Sequence, residues 1–102
     1  MTNIEMHQDE ASKAAAFLRS LGNEHRLQIL CRLATGELNV GELHKTFSLS
    51  ASAFSQHLAV LREQGLVQCR KEAQTIFYSI KDPDTLRFMQ LLKDKFCPEL
   101  PA

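Results

Sequence analysis

The stretch LSASAFSQHLAVLREQGLV, residues 49–67, predicts an amphipathic helix whose outward face is almost entirely small and polar. Helical spacing places Leu58 and Leu61 beside Phe54 on one face. The opposite face carries four short or amide-bearing residues, Ser52, Ser55, Gln56 and Ala59. Because a solvated helix face usually carries long charged side chains, this composition favours close approach to a large partner that can form hydrogen bonds.

The major groove of DNA accepts a helix face of this kind. Glutamine can pair with adenine, serine with either type of base edge, and alanine leaves room for a thymine methyl group. We therefore expect the helix to read bases through four residues, Ser52, Ala53, Ser55 and Gln56. Further DNA contacts are expected from Ser50, His57 and Arg62. For His57 the expected contact is a phosphate, and the alternative is packing near Phe54.

Two short segments rich in β-forming residues follow this helix. Gly65 ends the helix, in the usual glycine position just past the last turn. Residues 66–71 and 76–80 are predicted strands, and residues 72–75 are the turn between them. A helix followed by a hairpin with basic residues near its tip is typical of a winged helix, whose wing would hold the DNA backbone through Arg70, Lys71 and Gln74. An ordinary surface helix and hairpin is the competing interpretation.

The remaining sequence predicts four further helices. They cover about residues 9–21 and 24–34, a short segment that starts near Asn39, and residues 83–97. Asn23 and Ser50 are the expected N-caps of the second and fourth helices. The fold class is therefore mainly α with a small β-hairpin, a winged helix-turn-helix in the order α-α-α-α-β-β-α. A length of 102 residues suits a single domain, residues 1–102, in which residues 1–8 are expected to be flexible.

Composition narrows the class of protein. The hydrophobic content of 44% supports a real core, and the sequence shows no apolar run long enough to span a membrane. The polar, acidic N-terminus does not resemble a signal peptide, and three cysteines do not form a disulfide framework, so we expect a cytoplasmic protein with reduced thiols. The formal net charge is +0, but residues 44–81 hold five Lys or Arg against two Glu, a net +3 that coincides with the expected DNA-binding unit.

The last predicted helix indicates an oligomer. Its apolar side chains are too widely spread for one small domain to cover: Leu86, Phe88, Met89, Leu91, Leu92 and Phe96. We expect the first and last helices to form a two-fold homodimer, which is the commonest oligomer. Such a dimer reads an inverted repeat with half-sites roughly 34 Å apart. The alternative is a last helix that docks only on its own domain.

Four runs of sequence resemble the ArsR/SmtB family of bacterial winged-helix repressors. They are LGNEHRLQILCRL (21–33), ELNVGEL (37–43), the helix quoted above with its motif SxHLxxLRxxGLV (55–67), and RKEAQTIFYSI (70–80). The resemblance covers about residues 14–97, and the motif in the fourth helix is fairly specific. It implies a homodimer that binds double-stranded operator DNA and releases it when an inducer arrives.

Metal sensing, common in that family, is not expected here. The metal-sensing branch carries cysteines in the third helix in a pattern like ELCVC, whereas this chain has Asn39 and Gly41 at the ligand positions. A second family site uses histidines and carboxylates on the last helix, which here has Asp84 and Asp94 but no histidine. The four histidines are scattered along the chain, so we expect no metal site and no cofactor.

Cys31 and Cys97 point to a different inducer. With RKEAQT in the wing, their placement in the second and last helices resembles the thiol-based branch of the family, the BigR, SqrR and HlyU type. That resemblance implies that reactive sulfur species such as persulfides link the two thiols, by a disulfide or a longer sulfur chain, and lower DNA affinity. The alternative for Cys31 is a small buried core residue. Cys69 is expected to be structural, or an alternative resolving thiol.

The sequence therefore predicts a dimeric, thiol-regulated transcriptional repressor without enzymatic activity. A repressor that responds to metals or to peroxide is the alternative within the family. A small thiol redox enzyme is the alternative from another class, but the chain has no CxxC motif. A winged helix that binds only proteins is a third interpretation, and absence of binding to any palindromic operator would favour it.

Overall fold

The computed structural model describes residues 4–99 and confirms the predicted winged helix-turn-helix. In chain order its elements are α1 (Gln8–Leu21), α2 (Glu24–Leu33), β1 (Leu38–Asn39), α3 (Val40–Lys45), α4 (Ala51–Glu63), β2 (Val67–Glu72), β3 (Thr75–Ile80) and α5 (Pro83–Phe96). The third and fourth helices form the helix-turn-helix, and β2 and β3 form the wing.

A short strand, β1, is missing from the predicted order. Leu38 lies opposite Tyr78 and Asn39 opposite Phe77 in antiparallel pairing, so the sheet has three strands in the order β1-β3-β2. Two residues are too few to give an alternating pattern. Asn39 also caps α3, so the local sequence indicates only the start of a helix.

The inward face of α4 lies at the centre of the core. Phe54, Leu58 and Leu61 are all buried, as the helical spacing predicts. They belong to one hydrophobic cluster whose other buried members are Leu21, Ile29, Leu30, Leu33, Leu43, Leu66, Val67, Tyr78 and Met89. The cluster draws on all five helices and on both wing strands, so the position of α4 is fixed by the whole fold.

Polar side chains define where the helices begin. The Asn23 side-chain oxygen accepts hydrogen bonds from the backbone N–H groups of His25 at 2.9 Å and Arg26 at 3.1 Å. The Ser50 hydroxyl accepts one from the N–H of Ala53 at 3.1 Å. Both predicted N-caps are therefore confirmed, and each satisfies donors that the first turn of a helix leaves without partners.

The wing turn is tighter than predicted. Glu72 and Thr75 pair with each other, so only Ala73 and Gln74 connect the strands. A two-residue hairpin needs a left-handed residue, and Ala73 supplies it with a φ of 55°. Gly65 has a φ of 74° just beyond the end of α4, at the predicted position.

One face of α5 remains uncovered by its own protomer. Thr85 and Met89 are buried, whereas Leu86, Leu91 and Phe96 are 41%, 61% and 69% exposed. No helix among residues 4–99 is long and apolar enough to cross a membrane. The expected flexibility of residues 1–8 falls partly on residues 1–3, which lie outside the described residues; residues 4–7 are exposed, and α1 begins at Gln8.

The cap at Asn23 gives a test of the corner between α1 and α2. We expect Asn23→Ala to lower the free energy of unfolding by about 1 kcal/mol, because two backbone donors lose their acceptor. Asn23→Ser keeps a capping oxygen and should stay within a few tenths of a kcal/mol of the wild type. Urea unfolding at one fixed protein concentration measures both variants. An equal loss in the two variants would contradict the capping role.

Candidate functional site

The outward face of α4 presents the side chains predicted to read bases. Ser52, Ser55 and Gln56 are exposed, and Ala53 is half-buried. Ser50 is exposed at the start of the helix, where its hydroxyl oxygen is engaged as the N-cap. The face is free of large apolar side chains over these positions, so its shape and hydrogen-bonding groups suit a groove of DNA.

Aromatic side chains pack against the buried face of α4. The Phe54 ring stacks on His44 with 4.7 Å between ring centroids and lies 5.5 Å from Phe47. The Nε2 atom of His44 lies 2.8 Å from the backbone oxygen of Leu49, in the turn before α4. His44 on α3 therefore contacts both the turn and α4 of the helix-turn-helix. Phe54 is a core residue, as expected.

Arg70 in the wing is held by two carboxylates. Its Nε and Nη2 atoms donate to the two oxygens of Glu37 at 2.8 and 2.7 Å, and Nη1 donates to Glu72 at 2.7 Å. The guanidinium also lies 4.5 Å from the centroid of the Phe77 ring. Hydrogen bonding to Arg70 lowers the pKa of Glu37, and the same bonds raise the pKa of Arg70. This pair could not be predicted from the sequence, because its partners are 33 positions apart.

The other predicted wing contacts differ in their surroundings. Lys71 and Gln74 are exposed at the tip of the hairpin. Arg62, near the end of α4, turns back to the wing, where its Nη1 atom donates to the Tyr78 hydroxyl at 3.1 Å and to the Cys69 sulfur at 3.7 Å. Arg62 thus connects α4 to both wing strands, and the exposed Cys69 contributes its sulfur as one of the acceptors.

His57 is engaged by α2. Its Nδ1 atom lies 3.3 Å from Nη1 of Arg26, and its ring centroid lies 5.5 Å from that of His25. Burial, followed by the positive charge of Arg26 and the proximity of His25, lowers the pKa of His57. The His57 ring therefore contacts Arg26, whereas packing near Phe54 was the alternative. A phosphate contact from His57 stays a prediction.

The two predicted sensing thiols line one groove between α2 and α5. The groove has a volume of about 750 Å³, and its wall is formed largely by apolar side chains together with Cys31 and Cys97. Both cysteines are exposed, so the alternative of Cys31 as a buried core residue is wrong. Helical spacing explains this exposure, because Ile29, Leu30 and Leu33 take the inward face of α2.

Local electrostatics act on the Cys31 thiol. Burial and the nearby Cys97 raise the pKa of Cys31, while Arg32 acts in the opposite direction. The electrostatic effect of Cys97 on Cys31 accords with the position of both cysteines on the wall of one groove. Because the thiolate is the nucleophilic form of cysteine, the raised pKa lowers the reactive fraction of Cys31 at neutral pH, and Arg32 counteracts this effect.

The described residues contain no metal centre. Among residues 4–99, no three His, Cys, Asp or Glu side chains come together as a metal ion would require. Asn39, at one of the positions where the resemblance implies a metal ligand, uses its side-chain oxygen to cap α3 through the N–H groups of Gly41 and Glu42.

The fold and the polar helix face define a winged-helix DNA-binding regulator, and comparisons with known proteins identify its family. The model of the bacterial regulatory protein arsR family matches residues 23–68. The chain is 46% identical over 95 residues to the transcriptional activator HlyU of Vibrio cholerae, covering 93% of this chain and 88% of HlyU. This chain therefore belongs to the arsR family, and it is a transcription regulator rather than an enzyme.

Solved structures support the same assignment. The structure of HlyU from Vibrio cholerae N16961 is 48% identical in sequence and has a TM-score of 0.83. The superposition covers 90% of this chain and 99% of the HlyU chain. The transcriptional repressor BigR from Xylella fastidiosa is 33% identical, with coverage of 88% and 92% and a TM-score of 0.80. The homodimeric winged helix-turn-helix domain of Mb0332 from Mycobacterium bovis is 27% identical, with coverage of 99% and 94% and a TM-score of 0.79.

The ion pairs of Arg70 predict that Arg70 and Lys71 contribute unequally to phosphate binding. We expect Lys71→Ala to reduce the slope of log affinity against log salt by about 1 on a random 30-bp duplex, because one phosphate contact is lost. Arg70→Ala should change the slope much less, because two carboxylates already neutralise its charge. Fluorescence anisotropy at several salt concentrations measures the slopes. Equal reductions would show that phosphates displace Glu37 and Glu72 from Arg70.

Proposed function

We propose that this protein is a dimeric, sequence-specific repressor that leaves its operator when reactive sulfur species modify Cys31 and Cys97. The observation that carries the proposal is the groove between α2 and α5, which is lined by both thiols although they stand 66 positions apart in the sequence. The relatives include HlyU, named an activator, and BigR, named a repressor. Repression is therefore part of the proposal, as is action in the bacterial cytoplasm, where operator DNA is found.

The proposed function includes a homodimer that forms through α1 and α5. Exposed apolar side chains on both helices, Leu18, Leu86, Leu91 and Phe96, offer a surface that a second copy can cover. Mb0332 is a homodimer of the same fold. A two-fold dimer presents two α4 helices to adjacent major grooves, so the operator is proposed to be an inverted repeat.

DNA contacts divide between the helix and the wing. Ser52, Ala53, Ser55 and Gln56 are proposed to read bases, with Ser50, His57 and Arg62 near the same surface. Lys71 and Gln74 are proposed to contact the backbone from the wing tip. Arg70 is proposed to join them only when phosphates compete with its carboxylates, so its share of the binding free energy is smaller.

The thiol chemistry balances with a persulfide as the oxidant. A thiolate of one cysteine attacks the outer sulfur of a hydropersulfide, forms a protein persulfide, and releases the donor's thiol. The second thiolate then attacks the inner sulfur of that protein persulfide, forms a disulfide, and expels hydrogen sulfide. If both cysteines are persulfidated first, their condensation gives a trisulfide and again releases hydrogen sulfide.

A bridge between these cysteines would act on DNA binding through α5. A disulfide requires Cα atoms about 4.4–6.8 Å apart, so bridge formation constrains the end of α5 against α2. Because α5 is also proposed to form the dimer surface, its movement changes the separation of the two α4 helices. An operator with fixed half-site spacing tolerates little change of that kind.

Gln56 tests base reading. The operator can be obtained by in vitro selection from a random DNA pool with the wild-type protein. We expect Gln56→Ala to weaken operator binding by about 1–3 kcal/mol, the contribution of one good base contact, and to leave binding to scrambled DNA nearly unchanged. Gln64→Ala, which removes an exposed glutamine beyond the end of α4, is the matched control and should bind normally. Equal losses on both DNAs would exclude base reading by Gln56.

Serine variants test the switch. Cys31→Ser and Cys97→Ser should each bind the selected operator like the wild type when reduced and should remain bound after treatment with glutathione persulfide. Cys69→Ser, the matched control, should still be released. Mobility shifts measure release, and mass spectrometry should show residues 31 and 97 cross-linked in the wild type.

Parallel treatments separate the possible inducers. Hydrogen peroxide and oxidised glutathione, applied at the same concentrations, distinguish a general oxidant response from a persulfide response. Release of Cys97→Ser by persulfide would show that the second thiol is not part of the switch. Release of the wild type by stoichiometric zinc would contradict the thiol mechanism.

A further inference from the structure

One guanidinium joins the end of α1 to the DNA-reading helix. Arg26 donates from Nε to the backbone oxygen of Ser20 at 2.6 Å and from Nη2 to that of Arg19 at 3.0 Å. Its third nitrogen, Nη1, lies 3.3 Å from Nδ1 of His57 on α4. These contacts cross three helices, and none of them was predicted from the sequence.

The chemistry of the corner explains why an arginine stands here. The last turn of a helix leaves carbonyl groups with few helical partners, and Arg19 and Ser20 lie in that turn of α1, where the Arg19 carbonyl also accepts from the Gly22 N–H at 3.2 Å. A planar guanidinium has five N–H donors in a fixed arrangement, so it can serve two carbonyls and a ring nitrogen at once. The single ammonium of a lysine has no such fixed arrangement of donors. Asn23 adds a further restraint, because its side chain accepts from the Arg26 backbone N–H.

We propose that Arg26 is a positioning residue for operator binding, which orients α4 relative to α1 through a hydrogen bond to neutral His57. The inference rests on the proposed function, because it requires specific operator binding by a dimer in which α1 contributes to the subunit interface. It gives Arg26 and His57 a role that differs from direct DNA contact. The orientation of the reading helix then depends on the end of a helix at the dimer surface.

The protonation state of His57 decides whether the contact exists. Arginine can only donate, so Nδ1 of His57 must accept, and the imidazole must carry its single proton on Nε2. Protonation of Nδ1 removes the acceptor and places a positive ring beside Arg26 and His25. These two residues of α2 are the charged or titratable groups that act on His57. No titratable side chain of α1 takes part in the contact, because Arg19 and Ser20 contribute backbone oxygens.

The sign of the pH dependence follows from this arrangement. Burial, Arg26 and His25 lower the pKa of His57, so the folded protein holds a neutral ring at pH 7. The contact is present at neutral pH and is lost as the pH falls through the lowered pKa. The unfolded chain binds the proton at a higher pH, so the stability that the contact supplies also begins to fall below the ordinary histidine pKa of about 6.5.

Specific and non-specific binding respond in opposite directions to acid. A protonated His57 adds positive charge near the DNA and so favours any sequence. Loss of the Arg26 contact loosens α4 and so weakens base reading alone. The informative quantity is therefore the ratio of affinity for the selected operator to affinity for a scrambled duplex of equal length and composition.

The experiment measures that ratio by fluorescence anisotropy between pH 5.5 and 7.5 at constant ionic strength, with circular dichroism to verify folding. For the wild type we expect the ratio to fall as the pH drops below about 6.5, approaching a roughly tenfold loss when His57 is fully protonated, the scale of one lost charge-assisted hydrogen bond. In His57→Asn, whose side-chain oxygen can occupy the place of Nδ1 and does not titrate, the ratio should not depend on pH, whereas loss of a phosphate contact from the ring would lower the affinity for both duplexes alike. His25→Asn is the matched control and should keep the pH dependence.

Arg26→Lys should give a low ratio that no longer depends on pH. If this variant does not fold, the comparison of wild type with His57→Asn decides the question alone. A wild-type ratio that does not change with pH, or an equal fall in His57→Asn, would overturn the inference while leaving the proposed function intact. Failure of the wild type to select or bind any operator at pH 7.5 would overturn both.

Discussion

Burial of one face of α4 is the constraint on which the rest of this structure depends. Phe54 and Leu61 are 2% and 0% exposed, and removal of such side chains from water is the main favourable term in folding. Because a helix has two faces, burial of this one leaves the serines and Gln56 on the outside. The same apolar contacts that stabilise the domain therefore orient the groups that can meet DNA.

Local patterns were sufficient to predict most of the architecture. The β-forming residues of the wing, the 3.6-residue spacing around Phe54, and the caps at Asn23 and Ser50 each depend on neighbours within a few positions. Strand β1 could not be predicted, because its two residues pair with Tyr78 and Phe77 far along the chain. The exposure of Cys31 could be inferred from the helix period of α2, which turns Leu30 inward.

Long-range polar contacts explain where the sequence analysis of the site was incomplete. The charge of Arg70 and its place in the wing are evident from the sequence, but its partner Glu37 immediately precedes β1, at the other edge of the three-stranded sheet. His57 was identified by its place on α4, but its neighbour Arg26 comes from 31 positions earlier. A sequence shows which side chains can form such bonds, whereas tertiary packing selects the pairs that do.

Strand β1 has a consequence for how the protein can move. Asn39 pairs with Phe77 through its backbone and caps α3 with its side chain, so one residue fastens the wing sheet to the helix-turn-helix. Arg62 makes a second connection, from α4 to Tyr78. These two connections restrain the wing relative to the helix-turn-helix. A displacement of α4 would therefore carry the wing with it, so that both DNA-facing elements change position together.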